Sequence, residues 1–276
     1  MYMPWVLGWT LEALDGRARR AAGWLALLVG LMLLRAHPQI SYYTFLAVGL
    51  VVLSRWVAVA LNRRRSDEAL PWVPTLWGAA ALVVGVLIAA VNLLPMQEYA
   101  PWSVRGMSEG GGAAYSFATG WSLSPRELGT FLFPSLAGFG QGSYLGPMPF
   151  NDYPNTLGFM VLVLAVAAWG DRRRWAVAAL TAVFAVSVLV SFGKHLPVLY
   201  DPFFHLLPYF NKFRIPSMIL VLAGCSAAIL AAVGARRVVD LADAGDGRAR
   251  RLAIVLMGAG AVVLLGATGL ARDLFG

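Results

Sequence analysis

At 276 residues the chain has the length of one or two soluble domains, but it is 59% hydrophobic and only 13% charged, where soluble domains run near 45–50% apolar and about 25% charged. With a mean hydropathy of +0.69 it cannot hide its apolar surface from water, which excludes a soluble enzyme, a disordered tail and a disulfide-stapled secreted module. Cys225 is the single cysteine, so an internal disulfide and a multi-thiolate zinc site are excluded as well, and the net charge of +8 comes from arginines set between apolar runs, a membrane pattern and not a nucleic-acid one.

A helix rises about 1.5 Å per residue, so about 20 apolar residues cross the hydrocarbon core of a bilayer. Seven runs meet or approach that length, near 21–36, 39–61, 72–94, 155–170, 175–192, 216–235 and 252–271. Residues 1–20 precede them and do not read as a signal peptide: Arg17, Arg19 and Arg20 follow the apolar residues, and there is no clear small-residue cleavage site. Pro38 closes the short first run. Arg55 lies well inside the second and either snorkels toward Arg63 or pairs within the bundle. The expected fold is an all-α integral membrane protein with about seven transmembrane helices, forming a single multi-spanning domain over 1–276.

The connections between the runs alternate in charge. One set holds Arg17, Arg19, Arg20, Arg63, Arg64, Arg65, Arg172, Arg173 and Arg174, then Arg236, Arg237, Arg248, Arg250 and Arg251. The other holds only Arg35, Arg105, Arg126, Lys194, Lys212 and Arg214. The positive-inside rule places the first set and the N-terminus in the cytoplasm. The opposite face then carries two long loops, roughly 95–154 and 193–215, dense in Trp, Tyr, Phe, Pro and Gly. His37, His195 and His205 all fall on it, with Glu98, Glu109, Glu127, Asp152 and Asp201. Long loops of this kind usually carry function.

The P-loop, HExxH, GxSxG and complete GxGxxG motifs are all missing. Gly138, Gly140 and Gly142 read as a loop hinge, and the histidines share no ligand spacing. Ser124-Pro125-Arg126-Glu127 is a capping box with proline at the first helical position, which leaves Glu127 as cap or as site residue. Asp201, before Pro202, reads as the cap of a short aromatic helix over Pro202–Leu207. Glu98 either marks the water boundary at the end of the third run or serves a site; Asp152 either sits in a turn or does the same.

Two segments point to chemistry more directly. Tyr209–Pro216 puts Lys212 and Arg214 just before a membrane helix, on the side where cations are disfavoured. A helix N-terminus with neighbouring cations makes an anion site, and the planar fork of arginine suits phosphate. The competing reading is an anchor to lipid headgroups. The other segment is His37-Pro38-Gln39 followed by Tyr42 and Tyr43, a candidate site or a plain polar break between two helices.

Several stretches resemble bacterial YfhO-type membrane proteins. Leu34–Tyr43 is similar to their "GHPQISYY" stretch, Leu93–Tyr99 to "LLPxxEY", and Ser103–Gly106 to the "SxRG" that follows. Ser124–Leu128 with Phe133-Pro134 resembles "PxEL…P", Tyr144–Gly146 resembles "YxG", and Phe210–Ser217 resembles "FNKFRxPS". The matches run in order from about residue 20 to 225.

The resemblance implies a GT-C type glycosyltransferase of the bacterial cytoplasmic membrane. Such enzymes take a sugar from a polyprenyl-phosphate-linked donor on the outer face and pass it to a cell-envelope glycan. The expected partners are that donor, that acceptor and membrane lipids, without nucleic acid; no organic cofactor is expected, and a divalent metal is left open. The substrate-binding candidates are His37, Gln39, Tyr42, Tyr43, Arg105, Glu127, Asn211, Lys212 and Arg214. Lys212 and Arg214 would stabilise the charge gained by the departing lipid phosphate. Members of the family are longer than this chain, and the first outer loop that usually bears the catalytic acid has no counterpart here, so a fragment is expected. Glu98 is then the leading candidate for the general base, with Asp152 behind it. Trp102, Trp121, Phe203 and Phe204 line a sugar or prenyl path or belong to an interfacial belt. The alternatives are a transporter or flippase for a lipid-linked substrate, for which Arg55 supplies the intramembrane charge, and a noncatalytic membrane scaffold of an envelope synthase.

Overall fold

The computed structural model describes residues 2–35, 37–62, 68–99, 102, 114–140, 142–171, 174–245, 247, 258 and 260, and contains no strand among them. In chain order the α-helices are α1 (Met3–Glu12), α2 (Ala18–Arg35), α3 (Pro38–Asn62), α4 (Trp72–Tyr99), α5 (Tyr115–Ala118), α6 (Phe159–Ala167), α7 (Arg174–Ser191), α8 (Pro197–Leu206) and α9 (Leu220–Asp243). The chain forms two compact units, Met1–Leu123 with Ala178–Cys225, and Ser124–Val177 with Ser226–Gly276.

In the first unit the dominant packing is α2 against α4. Buried Ala22, Ala26 and Gly30 recur every four residues on α2, and buried Ala81, Gly85 and Ala89 do the same on α4. Small residues at this spacing let two backbones approach closely. The fit is reciprocal: Gly30 faces Ile88 of α4, and Gly85 faces Val29 of α2. The other side of α4 is open, with Leu87 67% and Val91 76% exposed. An apolar surface of that extent is covered by lipid.

In the second unit α9 crosses close to α6. Gly234 lies against the Leu164 backbone, where any side chain would collide, and Arg237 donates from Nη1 to the Ala167 carbonyl at 2.7 Å. That bond adds a donor to a carbonyl at the end of α6, where the helix tightens into the 3₁₀ turn Ala168–Gly170.

Four described helical segments are long and apolar enough to cross a membrane: Pro38–Asn62, Trp72–Tyr99, Arg174–Ser191 and Pro216–Asp243. At 28 residues α4 is about 42 Å long, and it runs through Pro95 to Tyr99, past the expected end at 94. The chain is thus a membrane-embedded helical protein. Of the other expected runs, the first is α2, whose 18 residues include Arg19, Arg20 and Arg35. The fourth is the short Phe159–Gly170 segment, and 252–271 lies outside the described residues apart from 258 and 260. Arg55 of α3 is ion-paired with Glu68, in the stretch before α4. A guanidinium set among apolar residues calls for such a partner.

Candidate functional site

The first turn of α3 organises the candidate site. Gln39 and Tyr43 are one helical turn apart and are each 1% exposed. A buried amide must find partners. The Gln39 Nε2 reaches the Tyr43 hydroxyl at 2.8 Å, the Arg214 carbonyl at 2.5 Å and the Ile215 carbonyl at 3.3 Å. Tyr42 donates its hydroxyl to the Pro208 carbonyl at 2.8 Å. The two segments singled out in the sequence therefore meet, with α3 holding both ends of Pro208–Ile215.

Phe210 pins the middle of that segment. It is 1% exposed, and its ring centroid lies 5.7–6.4 Å from those of Tyr42, Tyr43, Tyr200, Phe203 and Phe213. Tilted and edge-on pairs at this range are favourable beyond their buried area. The segment is bracketed by strain. Tyr209 has φ +63° and Ile215 φ +68°, and a β-branched residue there is a true outlier. Each costs about 1–3 kcal/mol and persists only where the surroundings enforce it. Here the enforcing bonds are Ile215 N–H to the Ala118 carbonyl and Ser217 N–H to the Trp121 carbonyl, both 3.2 Å, besides the Gln39 amide.

The result is the placement of Arg214. Its guanidinium carbon is 4.2 Å from the Phe117 ring centroid and 4.0 Å from that of Trp121. Phe117 is on α5, and Trp121 follows four residues later. The Ser122 hydroxyl locks this stretch, donating to the Thr119 carbonyl at 2.7 Å and accepting from the Lys194 N–H at 3.1 Å. The ring faces offer Arg214 a partial negative charge. Among the described residues no carboxylate pairs with it, and its Nε is buried without a hydrogen-bond partner. A cation held by rings, with no counter-ion among the described residues, has the chemistry to accept an anion.

The Lys212 Nζ lies 5.5 Å from the Tyr209 ring centroid, and Asn211 and Lys212 are half-buried. His37 is exposed, and its carbonyl accepts from the N–H groups of Ile40 and Ser41 at the start of α3. The Gln39 amide nitrogen and the Tyr43 hydroxyl are occupied by bracing, so Gln39 acts on Arg214 through the backbone. Gln39→Leu keeps the bulk and removes the bracing donor. Hydrogen exchange at residues 209–216 is expected to accelerate by about tenfold, the effect of losing roughly one net hydrogen bond; unchanged exchange would refute the bracing role.

A second polar pair joins α5 to α8. Tyr115 donates its hydroxyl to Asp201 Oδ1 at 2.7 Å. Burial first, and then the carboxylate, push the Tyr115 phenol up to about 12; burial also raises the phenol of Tyr200. Asp201 is not the expected helix cap. The helix α8 begins at Pro197, with Leu196 at its N-cap, and Asp201 and Pro202 lie inside it.

The acids separate by their partners. Glu127 is 4% exposed and completes the expected capping box of the 3₁₀ helix Pro125–Phe131 in the second unit. Its Oε2 accepts from the Ser124 N–H at 2.8 Å, and its Oε1 accepts from the Tyr144 hydroxyl at 2.6 Å. That hydroxyl also accepts from the Met148 N–H at 3.2 Å, and burial, with Glu127 next, raises the Tyr144 phenol. Both carboxylate oxygens of Glu127 thus hold a loop in place. Glu127→Ala is expected to cost about 1–2 kcal/mol of local stability, read as faster proteolysis between 132 and 148; a wild-type digestion pattern would contradict this. Gly138, Gly140 and Gly142 within that loop have φ of +64°, +81° and +89°.

Glu98 at the end of α4 and Asp152 in the second unit are both exposed, and neither has a hydrogen bond or ion pair among the described residues. Glu98 belongs to the same compact unit as Arg214. Arg105 and Glu109 lie outside the described residues. Among the described residues no three His, Cys, Asp or Glu side chains come together.

Phe117 is the site residue that sequence reasoning missed. Its signal was the four-residue spacing to Trp121, which puts two rings on one side of a helical turn. No family model, curated protein or solved structure matches the chain, so the site stands on its own geometry.

Proposed function

We propose that this protein is a membrane glycosyltransferase of the GT-C type, similar to YfhO proteins, working on the outer face of a bacterial cytoplasmic membrane with its N-terminus in the cytoplasm. The donor is a sugar linked to a polyprenyl phosphate, and the acceptor is a hydroxyl of a cell-envelope glycan. The observation that carries this reading is the Arg214 guanidinium, stacked between Phe117 and Trp121 with no carboxylate partner among the described residues. Aromatic walls beside a fixed cation suit a substrate that is part sugar or prenyl chain and part phosphate.

The chemistry follows from that placement. The bond between the sugar's anomeric carbon and the phosphate oxygen breaks, and its electron pair leaves with the phosphate. Arg214 and Lys212 face the growing negative charge in a poorly solvated site, where such contacts are strongest. The acceptor hydroxyl forms the new bond and gives its proton to a carboxylate, for which Glu98, in the same compact unit as Arg214, is the candidate. Transport offers a weaker reading, since Arg55, the charge on which it would turn, is already paired with Glu68.

The deciding experiment supplies the reconstituted protein with a radiolabelled polyprenyl-phosphate sugar and an envelope glycan acceptor. Label appearing in the acceptor supports the proposal. Label crossing the membrane still attached to its carrier, or no reaction at all, overturns it.

A further inference from the structure

A groove along the N-terminal helix has no part in the transfer reading and points to a different ligand. The helix α1 folds back on α2 through the turn Ala13–Arg17, where Gly16 adopts φ +102°, a conformation cheap only for glycine. Against α1 opens a cleft of about 510 Å³, walled by Trp5, Gly8, Trp9, Glu12, Arg17 and Arg20. A second cleft of about 400 Å³ shares Trp5 and Trp9 and continues to Tyr2, Trp24 and Leu28. The charged walls thus belong to one end and the apolar walls to the other.

The charged end favours an anion. Arg17 is bonded to Glu12 at 2.6 Å, but neither Arg19, outside the cleft lining, nor Arg20, within it, has a carboxylate partner among the described residues. They lie 5.9 Å from the ring centroids of Trp77 and Trp9 respectively. Trp9 in turn stacks on Trp24, with centroids 5.9 Å apart at 15°. These rings hold the arginines in place without neutralising them. Trp5 is 64% and Trp24 46% exposed, as tryptophans are where hydrocarbon meets headgroups. Gly8 leaves the floor open: a Cβ there would meet nothing within 4 Å, so close packing does not explain this glycine.

We propose that this groove binds one anionic phospholipid, its phosphate at Arg20 and an acyl chain along Trp5, Trp9, Trp24 and Leu28. The occupant is a lipid because charge and apolar surface are divided end to end along one groove, as in a lipid molecule. The claim is independent of sugar transfer.

Native mass spectrometry of the full chain, released from micelles holding equal phosphatidylglycerol and phosphatidylcholine, tests it. The protein is expected to retain phosphatidylglycerol preferentially. Arg20→Gln, which leaves the Arg17–Glu12 pair intact, should lower that affinity by about tenfold, as for loss of charge-assisted bonds. Arg35→Gln, at the other end of α2, should leave it unchanged. Gly8→Leu, which fills the cleft and keeps every charge, should reduce retention of both lipids, with helicity by circular dichroism confirming the fold. Equal retention of the two lipids by the wild type overturns the proposal. So does an equal loss in Arg35→Gln, or a Gly8→Leu variant that changes the oligomeric state and leaves lipid retention intact, since the groove would then receive a protein helix.

Discussion

Arg214→Ala is expected to lower the proposed sugar transfer by about 100-fold or more, the usual scale for losing one donor that meets developing charge, while the protein still inserts and folds. The separation of the two effects rests on how the residue is held. The bracing contact from Gln39 goes to the Arg214 carbonyl, which alanine retains, and the bond from Ile215 N–H to Ala118 is also untouched. The folded state loses only the stacking on Phe117 and Trp121, about 0.5–1 kcal/mol each at partly exposed sites. The loss should fall on kcat, since the phosphate gains its charge as the bond breaks. Arg214→Lys sharpens the test. Lysine keeps the charge but has no flat face to lie between two rings and no fork for two phosphate oxygens. It should restore less than about a tenth of the activity. Full activity in either variant would remove Arg214 from the reaction.

The second large effect is on stability. Gly85→Leu is expected to disrupt the α2–α4 contact and lower the thermal midpoint in detergent by several degrees. An added Cβ at Gly85 would come within 2.5 Å of Val29 Cγ1 and 3.1 Å of the Ala26 carbonyl. Val29 is fully buried, so it has no free space to move into. Overpacking of this kind costs about 1–3 kcal/mol, and here it also pushes on a backbone oxygen. Gly30→Leu should act likewise, because its Cβ would meet Ile88 Cγ2 at 2.7 Å. Leucine at Gly78, where an added Cβ meets nothing within 4 Å, is the matched control and should be silent. A midpoint unchanged in Gly85→Leu would mean that the two helices do not depend on this close approach.

The helices α3, α4, α7 and α9 could be read from hydropathy because each closes its backbone hydrogen bonds within itself, as any segment in lipid must. The Ser124–Glu127 capping box was equally visible, since its partners lie three residues apart. The Asp201 reading failed for a related reason. Its cap signature is local, yet Pro197 can also open a helix, and the α8 that starts there buries Tyr200 and Phe204, 2% and 7% exposed. Arg55 shows the limit again. An arginine among apolar residues announces a need for a partner, but Glu68 lies thirteen residues along, in a connecting stretch.

Composition and hydropathic pattern were enough to establish a helical protein of the membrane and to single out Tyr209–Pro216 and His37–Tyr43, because burial of apolar surface and intrahelical bonding depend on near neighbours. They carried no information on what Arg214 faces. The Gln39 contact spans 175 residues, and the rings of Phe117 and Trp121 arrive from a separate segment. A cation stacked in this way and a lysine-like surface anchor have the same one-dimensional signature. Long-range packing, which places two rings over one guanidinium and leaves its Nε buried, distinguishes them.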